Sequence, residues 1–172
     1  MLNGKSIYLR ALEPNDILFL YTLENDVNLW EYSHTQTPYS NYILQNYLEN
    51  SHQDIYQAKQ LRLVIAQKST EKPLGFIDLF DFDPKNHRAG LGIAILTTED
   101  KNKGYGTEAV ALMLQYCKDF LQLHQLFVNI SAENEVSKRL FSSFGFQKIG
   151  IKKDWNFYKG KYSDEEMYQK IL

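Results

Sequence analysis

Residues 88–121 read RAGLGIAILTTEDKNKGYGTEAVALMLQYCKDFL and contain the pattern that decides the fold. Bulky and minimal side chains alternate over residues 88–96, which predicts a β-strand with one almost bare face, packed against a ligand or another backbone. A charged loop at residues 97–103 separates this strand from a glycine turn and a long helix with one apolar side. The pattern therefore places Gly104 and Gly106 at the N-terminus of a helix.

A glycine turn in this position is a site for phosphate. The N–H groups of a first helical turn carry a partial positive charge, and glycine lets a ligand approach them closely. Lys101 and Lys103 add charge of the matching sign. Three known kinds of binding site contain such a turn, and each requires particular neighbouring residues.

A Walker A loop is excluded by the residues after the turn. It requires Lys and then Ser or Thr after its last glycine, whereas Thr107 and Glu108 follow Gly106 here. Residues 104–109 fit the loose G-x-G-x-x-A form of a dinucleotide fingerprint, but the long charged loop before them is atypical of a Rossmann unit. The third use is the pyrophosphate loop of the GNAT N-acetyltransferases. Residues 101–106 resemble its pattern of Arg or Gln, two residues, Gly, one residue, then Gly or Ala, with Lys in the first position.

The composition predicts a single domain spanning residues 1–172. A chain of 172 residues with 44% hydrophobic content can bury one core. The net charge of −2 disfavours nucleic acid as the main partner. No apolar run approaches the ~20 residues of a membrane span and the N-terminus lacks a signal-peptide core, so we expect a cytoplasmic protein with no membrane partner. Cys117, the single cysteine, lies on the apolar side of the predicted helix, which indicates a buried, inert thiol.

Turn signals divide the rest of the chain into further strands and helices. Short polar connections join runs at residues 61–68 and 74–82 to the strand at 88–96, which predicts an antiparallel meander. The run at residues 126–131 is reached through a helix and is therefore expected to be parallel to that strand. Other predicted elements are a strand at 7–12, a helix after Pro14 capped by Asn15 or Asp16, a helix at 40–49, a helix ended by Gly145, and two strands around Lys159-Gly160-Lys161.

A second GNAT motif is matched around the last predicted helix. The family pattern is Asn, two residues, Ala or Ser, two residues, an aliphatic and an aromatic residue, three residues, then Gly-Phe. Residues 8–16 and 75–79 also resemble the subgroup that contains the ribosomal-protein N-terminal acetyltransferases and the bacterial spermidine acetyltransferases. Together these matches cover essentially the whole chain. The residues that match the second motif are Asn134, Ser137, Leu140, Phe141, Gly145 and Phe146.

The resemblance implies an α/β GNAT fold, in which a mixed, mostly antiparallel sheet is splayed between two parallel central strands and helices cover both faces. It implies an N-acetyltransferase that moves acetyl from acetyl-CoA directly to a primary amine, either a small amine or polyamine or a peptide N-terminus. The pantetheine arm of the cofactor would lie between the splayed strands, and the bare strand face agrees with such a groove. The implied cofactor-binding residues are Ile93, Ile95, Lys101, Asn102, Lys103, Gly104, Tyr105, Gly106, Thr107 and Asn134.

The catalytic acid is not the usual one. Many relatives carry a Tyr acid at the position of Phe141, and Phe has no proton to give. In the ribosomal N-terminal acetyltransferases a Ser three residues after the motif Asn is the proposed acid, and Ser137 occupies that place. We therefore take Ser137 as the candidate acid for the leaving thiolate. The alternatives are that Ser137 satisfies local backbone groups and that Asn134 serves only as a helix cap.

The sequence leaves the general base and the acceptor open. Gly90 stands where the spermidine acetyltransferases carry a Glu. Asp78 and Asp81 are candidates that would act through water, against the plainer reading of a solvated strand face, and a wet cleft needs no dedicated base. Glu24, Asp26 and Glu31 suit a polyamine, yet an ordinary helix surface carries the same charges.

Two functions of other classes remain open. One is a non-catalytic acyl-CoA-binding sensor, favoured by Phe141, and the other is a nucleotide-binding module. We expect no metal, because the histidines lack ligand spacing, and we expect a homodimer through aromatic residues of the C-terminal strands. The histidines are His34, His52, His87 and His124, and the aromatic residues are Trp155, Phe157, Tyr158 and Tyr162.

Overall fold

The computed structural model describes residues 2–33, 35–101 and 103–172, with the backbone alone at Thr98. Asn102 of the expected cofactor loop and His34 lie outside the described residues. The strands are β1 (Leu2–Asn3), β2 (Ile7–Arg10), β3 (Leu61–Gln67), β4 (Pro73–Asp83), β5 (Arg88–Ile95), β6 (Gln125–Ser131), β7 (Gln147–Tyr158) and β8 (Lys161–Ile171). The helices are α1 (Ile17–Glu24), α2 (Trp30–Ser33), α3 (Asn41–Glu49), α4 (Ile55–Ala58), α5 (Tyr105–Asp119) and α6 (Glu135–Ser143), with 3₁₀ turns at Pro14–Asp16 and Thr98–Asp100.

The sheet has the predicted mixed topology. Within the described residues, the eight strands form one sheet in the order β1-β2-β3-β4-β5-β6-β8-β7. Strands β3, β4 and β5 form the antiparallel meander, whereas β5 and β6 run parallel and are joined through α5. The remaining neighbours are antiparallel. The expectation of a mixed, mostly antiparallel sheet with one central parallel pair is confirmed.

The two parallel strands separate after three residue pairs. Their shared register ends with Gly90 opposite Phe127, while β5 continues to Ile95 and β6 to Ser131. A Cβ at Gly90 would lie 2.2 Å from the Phe80 ring, so this ring occupies the space of the missing side chain. Phe80 also meets Phe127 edge to face, with ring centroids 5.6 Å apart. The bare face of β5 therefore packs on Phe80 at its start and opens into a cleft beyond it.

Helices cover both faces of the sheet, as expected. On one face, Met113 and Cys117 of α5 belong to the larger core cluster, and on the other face Leu20 of α1 and Leu44 of α3 pack with Phe76 of β4. Burial raises the pKa of the Cys117 thiol to about 12, which makes the thiol inert near neutral pH, as predicted. None of the helices in the described part of the chain is long and apolar enough to cross a membrane.

The turn after β2 differs from the prediction. Asp16 makes no side-chain capping bond to α1; its carboxylate accepts two hydrogen bonds from Arg10, at 2.6 and 2.8 Å, and one from the Glu13 N–H at 2.8 Å. Burial raises the pKa of Asp16, but these donors lower it further, so it lies below its usual value. The ion pair ties β2 to the start of α1, the helix that ends at the cleft with Glu24.

Candidate active site

The separation of β5 from β6 opens a cleft of about 980 Å³. Its walls are the β5 backbone, the glycine turn before α5, the start of α6, and the ends of α1 and α2. Most of the residues expected at the cofactor and the catalytic acid meet here. They are Ile93, Ile95, Lys101, Gly104, Gly106, Thr107, Asn134 and Ser137.

The glycine turn has the geometry of an anion site. Gly104 is the N-cap of α5 with a left-handed backbone, φ +83°, and it offers no side chain to the first-turn amides. The first intrahelical bond runs from the Glu108 N–H to the Gly104 carbonyl at 3.0 Å. The preceding amides, up to Thr107, thus have no acceptor within the helix. Lys101 and Arg139 line the same end of the cleft, so cationic side chains accompany the helix N-terminus.

Two residues of the expected loop are not among those that line the cleft. Lys103 faces Asp100, with Nζ 3.7 Å from Oδ1, and Tyr105 packs against the main core while its hydroxyl accepts a hydrogen bond from Gln67 at 3.1 Å. Asp100 also accepts hydrogen bonds from the Thr97 hydroxyl at 2.6 Å and from Lys72 at 3.0 Å. These bonds hold the pKa of Asp100 below its usual value. Lysines thus balance the charge of the Asp100 carboxylate.

Helix α6 presents Asn134 and Ser137 to the cleft. The Asn134 Oδ1 accepts from the Ser137 N–H at 3.0 Å, so Asn134 is the predicted helix cap. Among the described residues no hydrogen bond uses the Ser137 hydroxyl, whereas the Ser143 hydroxyl donates to the Leu140 carbonyl at 2.6 Å. The structure therefore gives Ser137 none of the local backbone bonds that the alternative interpretation requires.

The C-terminal end of α6 fixes Phe141. The Phe146 N–H donates to the Phe141 carbonyl at 3.2 Å and the Gly145 N–H to the Ser142 carbonyl at 2.9 Å, with Gly145 at φ +81°. This is the predicted Schellman motif. The Phe141 and Phe146 rings meet edge to face, with their centroids 5.3 Å apart. The buried Phe141 ring lies beside Ser137 in the wall of a small cavity next to the cleft.

A charged cluster lies at the opposite end of the cleft. The Arg62 guanidinium donates to both carboxylate oxygens of Asp78, at 2.8 and 3.0 Å, and pairs with Glu24. Burial lowers the pKa of Arg62, but Asp78 and Glu24 raise it further, so this cation stays charged. Two carboxylates share one cation, which leaves the cluster one negative charge. Asp78, a candidate base in the sequence, is engaged by Arg62, and Asp81 is exposed.

A smaller cavity of about 150 Å³ adjoins the cleft and shares Ser137 and Asn134 with it. Glu31 of α2 and Glu165 of β8 also line this cavity. Sequence reasoning missed Glu165. The available signal was a run of three acidic residues, 164–166, in a predicted strand, because strand alternation turns one of two adjacent carboxylates inward. No group of three or more His, Cys, Asp or Glu residues in the described part of the chain is placed to hold a metal ion.

Comparison with known proteins establishes the family. Residues 6–147 match the acetyltransferase (GNAT) domain, so the chain belongs to the GNAT acetyltransferases. The spermidine N(1)-acetyltransferase of Vibrio cholerae is 29% identical over 168 residues, which cover 96% of this chain and 93% of that protein.

Two solved structures of that enzyme type have the same fold. The crystal structure of spermidine N-acetyltransferase from Vibrio cholerae in complex with CoA and spermine matches with a TM-score of 0.85 and 25% identity, covering 98% of this chain and 96% of that one. A dodecameric structure of the Vibrio cholerae enzyme in an intermediate state matches with a TM-score of 0.81 and 25% identity, covering 98% and 95% of the two chains.

These similarities define the activity. The chain is an acetyl-CoA-dependent N-acetyltransferase that moves acetyl to an amine, as the two sequence motifs predicted. Neither the sensor nor the nucleotide-binding module is favoured.

In the glycine turn, Gly106→Ala should weaken the binding of acetyl-CoA without lowering the stability of the protein. A Cβ at Gly106 would make ordinary contacts, 3.8 Å from Ile93 Cδ1 and 4.0 Å from Leu140 Cδ2, so Gly106→Ala fits the folded protein. Alanine favours a helix over glycine by up to ~1 kcal/mol, and we expect unchanged or higher stability in urea. The methyl group obstructs the close approach of pyrophosphate, and calorimetry should show acetyl-CoA binding weakened by about tenfold or ~1.4 kcal/mol.

Gly150→Ala is the matched control, because its Cβ would meet open space on β7 and its affinity for acetyl-CoA should match that of the wild type. Unchanged affinity in a stable Gly106→Ala protein would contradict the placement of the pyrophosphate.

Proposed function

We propose that the enzyme acetylates a polyamine or a similar small polycationic amine. The supporting observation is the charge of the two cavity ends. At the acceptor end, the carboxylates of Glu24, Glu31, Asp78 and Glu165 outnumber the cations of Arg62 and Lys152. A cavity end with excess negative charge attracts and orients a ligand that carries several ammonium groups.

The donor end carries the opposite charge. Lys101 and Arg139 line it, and lysines balance Asp100 there. We place the acetyl-CoA pyrophosphate at the glycine turn and the pantetheine arm along β5 near Ile93 and Ile95. The unpaired edge of β5 supplies the backbone groups that an amide-bearing arm needs.

The relatives support this acceptor class. The Vibrio cholerae enzyme is a spermidine N-acetyltransferase, and its structure contains spermine together with CoA. These relatives offer no support for a peptide N-terminus, the other acceptor expected from the sequence.

The chemistry proposed is direct transfer within one complex. The neutral amine attacks the thioester carbonyl, the C–N bond forms, the C–S bond breaks, and the thiolate takes a proton as it leaves. Phe141 has no proton to give. We assign this proton to the Ser137 hydroxyl, which lies at the junction of the cleft and the smaller cavity.

We also propose that the chain self-associates through the β7–β8 hairpin. Strand β7 lies at the sheet edge, and Trp155, Phe157 and Tyr162 are 61–66% exposed. Exposed apolar side chains on an edge strand form a surface that favours association. The dodecameric Vibrio cholerae relative supports this proposal. A light-scattering mass of one chain at micromolar concentration would contradict it.

The acceptor assignment is tested by comparing amines in an assay of CoA release. Spermidine should exceed propylamine in kcat/KM by about tenfold or more, because a charged contact contributes ~1.5–3 kcal/mol. Asp78→Asn should reduce this ratio, since it removes a carboxylate from the Arg62 cluster. Asp81→Asn, an exposed carboxylate of the same strand, should leave the ratio unchanged. Equal rates for both amines, or a preference for a dipeptide, would contradict the polyamine assignment.

The same assay tests the acid. Ser137→Ala should lower turnover by roughly 10²–10⁴-fold, while calorimetry shows unchanged acetyl-CoA affinity. Ser142→Ala, an exposed position on the same helix, is the control and should retain full activity. Wild-type turnover in Ser137→Ala would remove Ser137 as the acid.

A further inference from the structure

Glu165 is a buried carboxylate in the wall of the smaller cavity. It lies on β8 between Ser131 of β6 and Lys152 of β7, in register with both, and it is 4% exposed. The cavity that it lines also contains Ser137 and Asn134. The carboxylate thus lines the same cavity as the proposed acid.

Neighbouring strands hold this carboxylate in place. Lys152 Nζ donates to Oε1 at 2.8 Å, and Asn156 Nδ2 donates to Oε2 at 3.3 Å. Lys152 is itself fixed by Asn129 Oδ1 at 3.2 Å and by the Trp155 ring, whose centroid lies 4.9 Å from Nζ. Among the described residues lining the cavity, the other titratable side chains are Glu31 and Tyr32, both on α2.

An irregularity of β7 brings Asn156 to this position. The register passes from Lys152 opposite Glu165 to Asn156 opposite Ser163, so three residues of β7 bulge against one of β8. Asp154 within this bulge has a φ of +48°, and its N–H donates to Asp164 at 3.0 Å. Bulges of this kind turn side chains toward a site.

The adjacent carboxylate, Glu166, has a different environment. It faces the opposite side of the strand and accepts from the Tyr168 hydroxyl at 2.8 Å, while Lys148 and Lys138 lie at 3.3 and 3.6 Å. It does not line either cavity. Glu166 forms structural ion pairs with lysines, whereas Glu165 faces the smaller cavity.

We propose that Glu165 takes the proton that the acceptor nitrogen loses; this rests on the proposed function, with Ser137 as the acid. As the C–N bond forms, the nitrogen becomes positively charged and its N–H proton passes to the Glu165 carboxylate, directly or through a cavity water. The C–S bond breaks with its electron pair on sulfur, and the Ser137 hydroxyl protonates the thiolate. The proton on Glu165 then returns to Ser137 through the cavity.

These proton transfers balance without any further reactant. The amine and acetyl-CoA become the amide and CoA thiol, and both side chains recover their starting protonation. A cavity of about 150 Å³ has room for a few water molecules, each of which occupies ~30 Å³ in the liquid.

The test is Glu165→Gln, assayed by CoA release with the best amine substrate across pH. Glutamine keeps an oxygen that accepts from Lys152 but takes up no proton, so kcat should fall by roughly 10²–10⁴-fold. Acetyl-CoA affinity should stay within about twofold of wild type.

Two single variants separate catalysis from charge and structure. Glu31→Gln removes one negative charge from the same cavity and should raise KM for the amine without the large loss of kcat. Glu166→Gln removes the neighbouring structural carboxylate and should lower stability while retaining turnover.

A relocation variant supplies the decisive rescue. In Glu165→Gln with Asn156→Asp, the carboxylate moves to the other side of an existing 3.3 Å contact. This variant should recover at least about tenfold of the turnover lost in Glu165→Gln, within the range typical of general bases. The double variant also tests the assignment if Glu165→Gln does not fold. Turnover in the double variant then supports Glu165 as the proton acceptor, and absence of turnover contradicts it.

Three results separate failure of this inference from failure of the proposed function. Turnover of Glu165→Gln within about threefold of wild type overturns the assignment, because removal of a general base lowers turnover by far more. A loss of kcat in Glu31→Gln as large as in Glu165→Gln overturns it as well. A wild-type enzyme that acetylates no polyamine contradicts the proposed function on which the inference rests.

Discussion

The pairing between β5 and β6 ends at Gly90, and the rest of the site depends on that ending. Phe80 occupies the space above Gly90 and meets Phe127, the residue opposite it, so the two strands separate where an aromatic ring is inserted. Past this point β5 has backbone N–H and C=O groups that face the cleft rather than a neighbouring strand. Buried backbone polar groups need partners, and in the proposed complex an amide-bearing cofactor arm would supply them.

The split also sets the charges at the two ends of the cleft. At one end, α5 begins with a left-handed glycine, and Lys101 and Arg139 line the cleft together with it. At the other end, Arg62 is shared between Asp78 and Glu24 and leaves a negative charge. In the proposed complex an anionic cofactor and a cationic amine would each meet a complementary surface, with the thioester between them, beside Ser137.

Local patterns allowed much of this to be predicted from the sequence. The alternation in β5 and the Schellman motif at Gly145 depend on residues that are close in the sequence. Strand β5, the glycine turn and helices α5 and α6 were therefore predicted correctly. The loop was harder, because a 3₁₀ turn places Asp100 beside Lys103, a contact that the motif pattern does not contain. Asp16 does occupy the N-cap position of α1, but its side chain makes no capping bond because its partner, Arg10, belongs to the preceding strand.

The acceptor side could not be read in the same way. Glu165 faces the cavity through the register of β8 against β6, and its partner Asn156 reaches it through a bulge in β7. Both depend on contacts between distant parts of the chain. A strand with consecutive acidic residues does not indicate which of them faces inward until its neighbours are known.

Hydrogen exchange of backbone amides with and without acetyl-CoA tests the central claim most directly, because it reports on individual N–H groups in the separated strands and the glycine turn. The account predicts slower exchange on binding at residues 93–95 and 104–107, with little change in β7 and β8. Unchanged exchange at both segments in the presence of saturating acetyl-CoA would contradict the claim that the gap between β5 and β6 holds the cofactor.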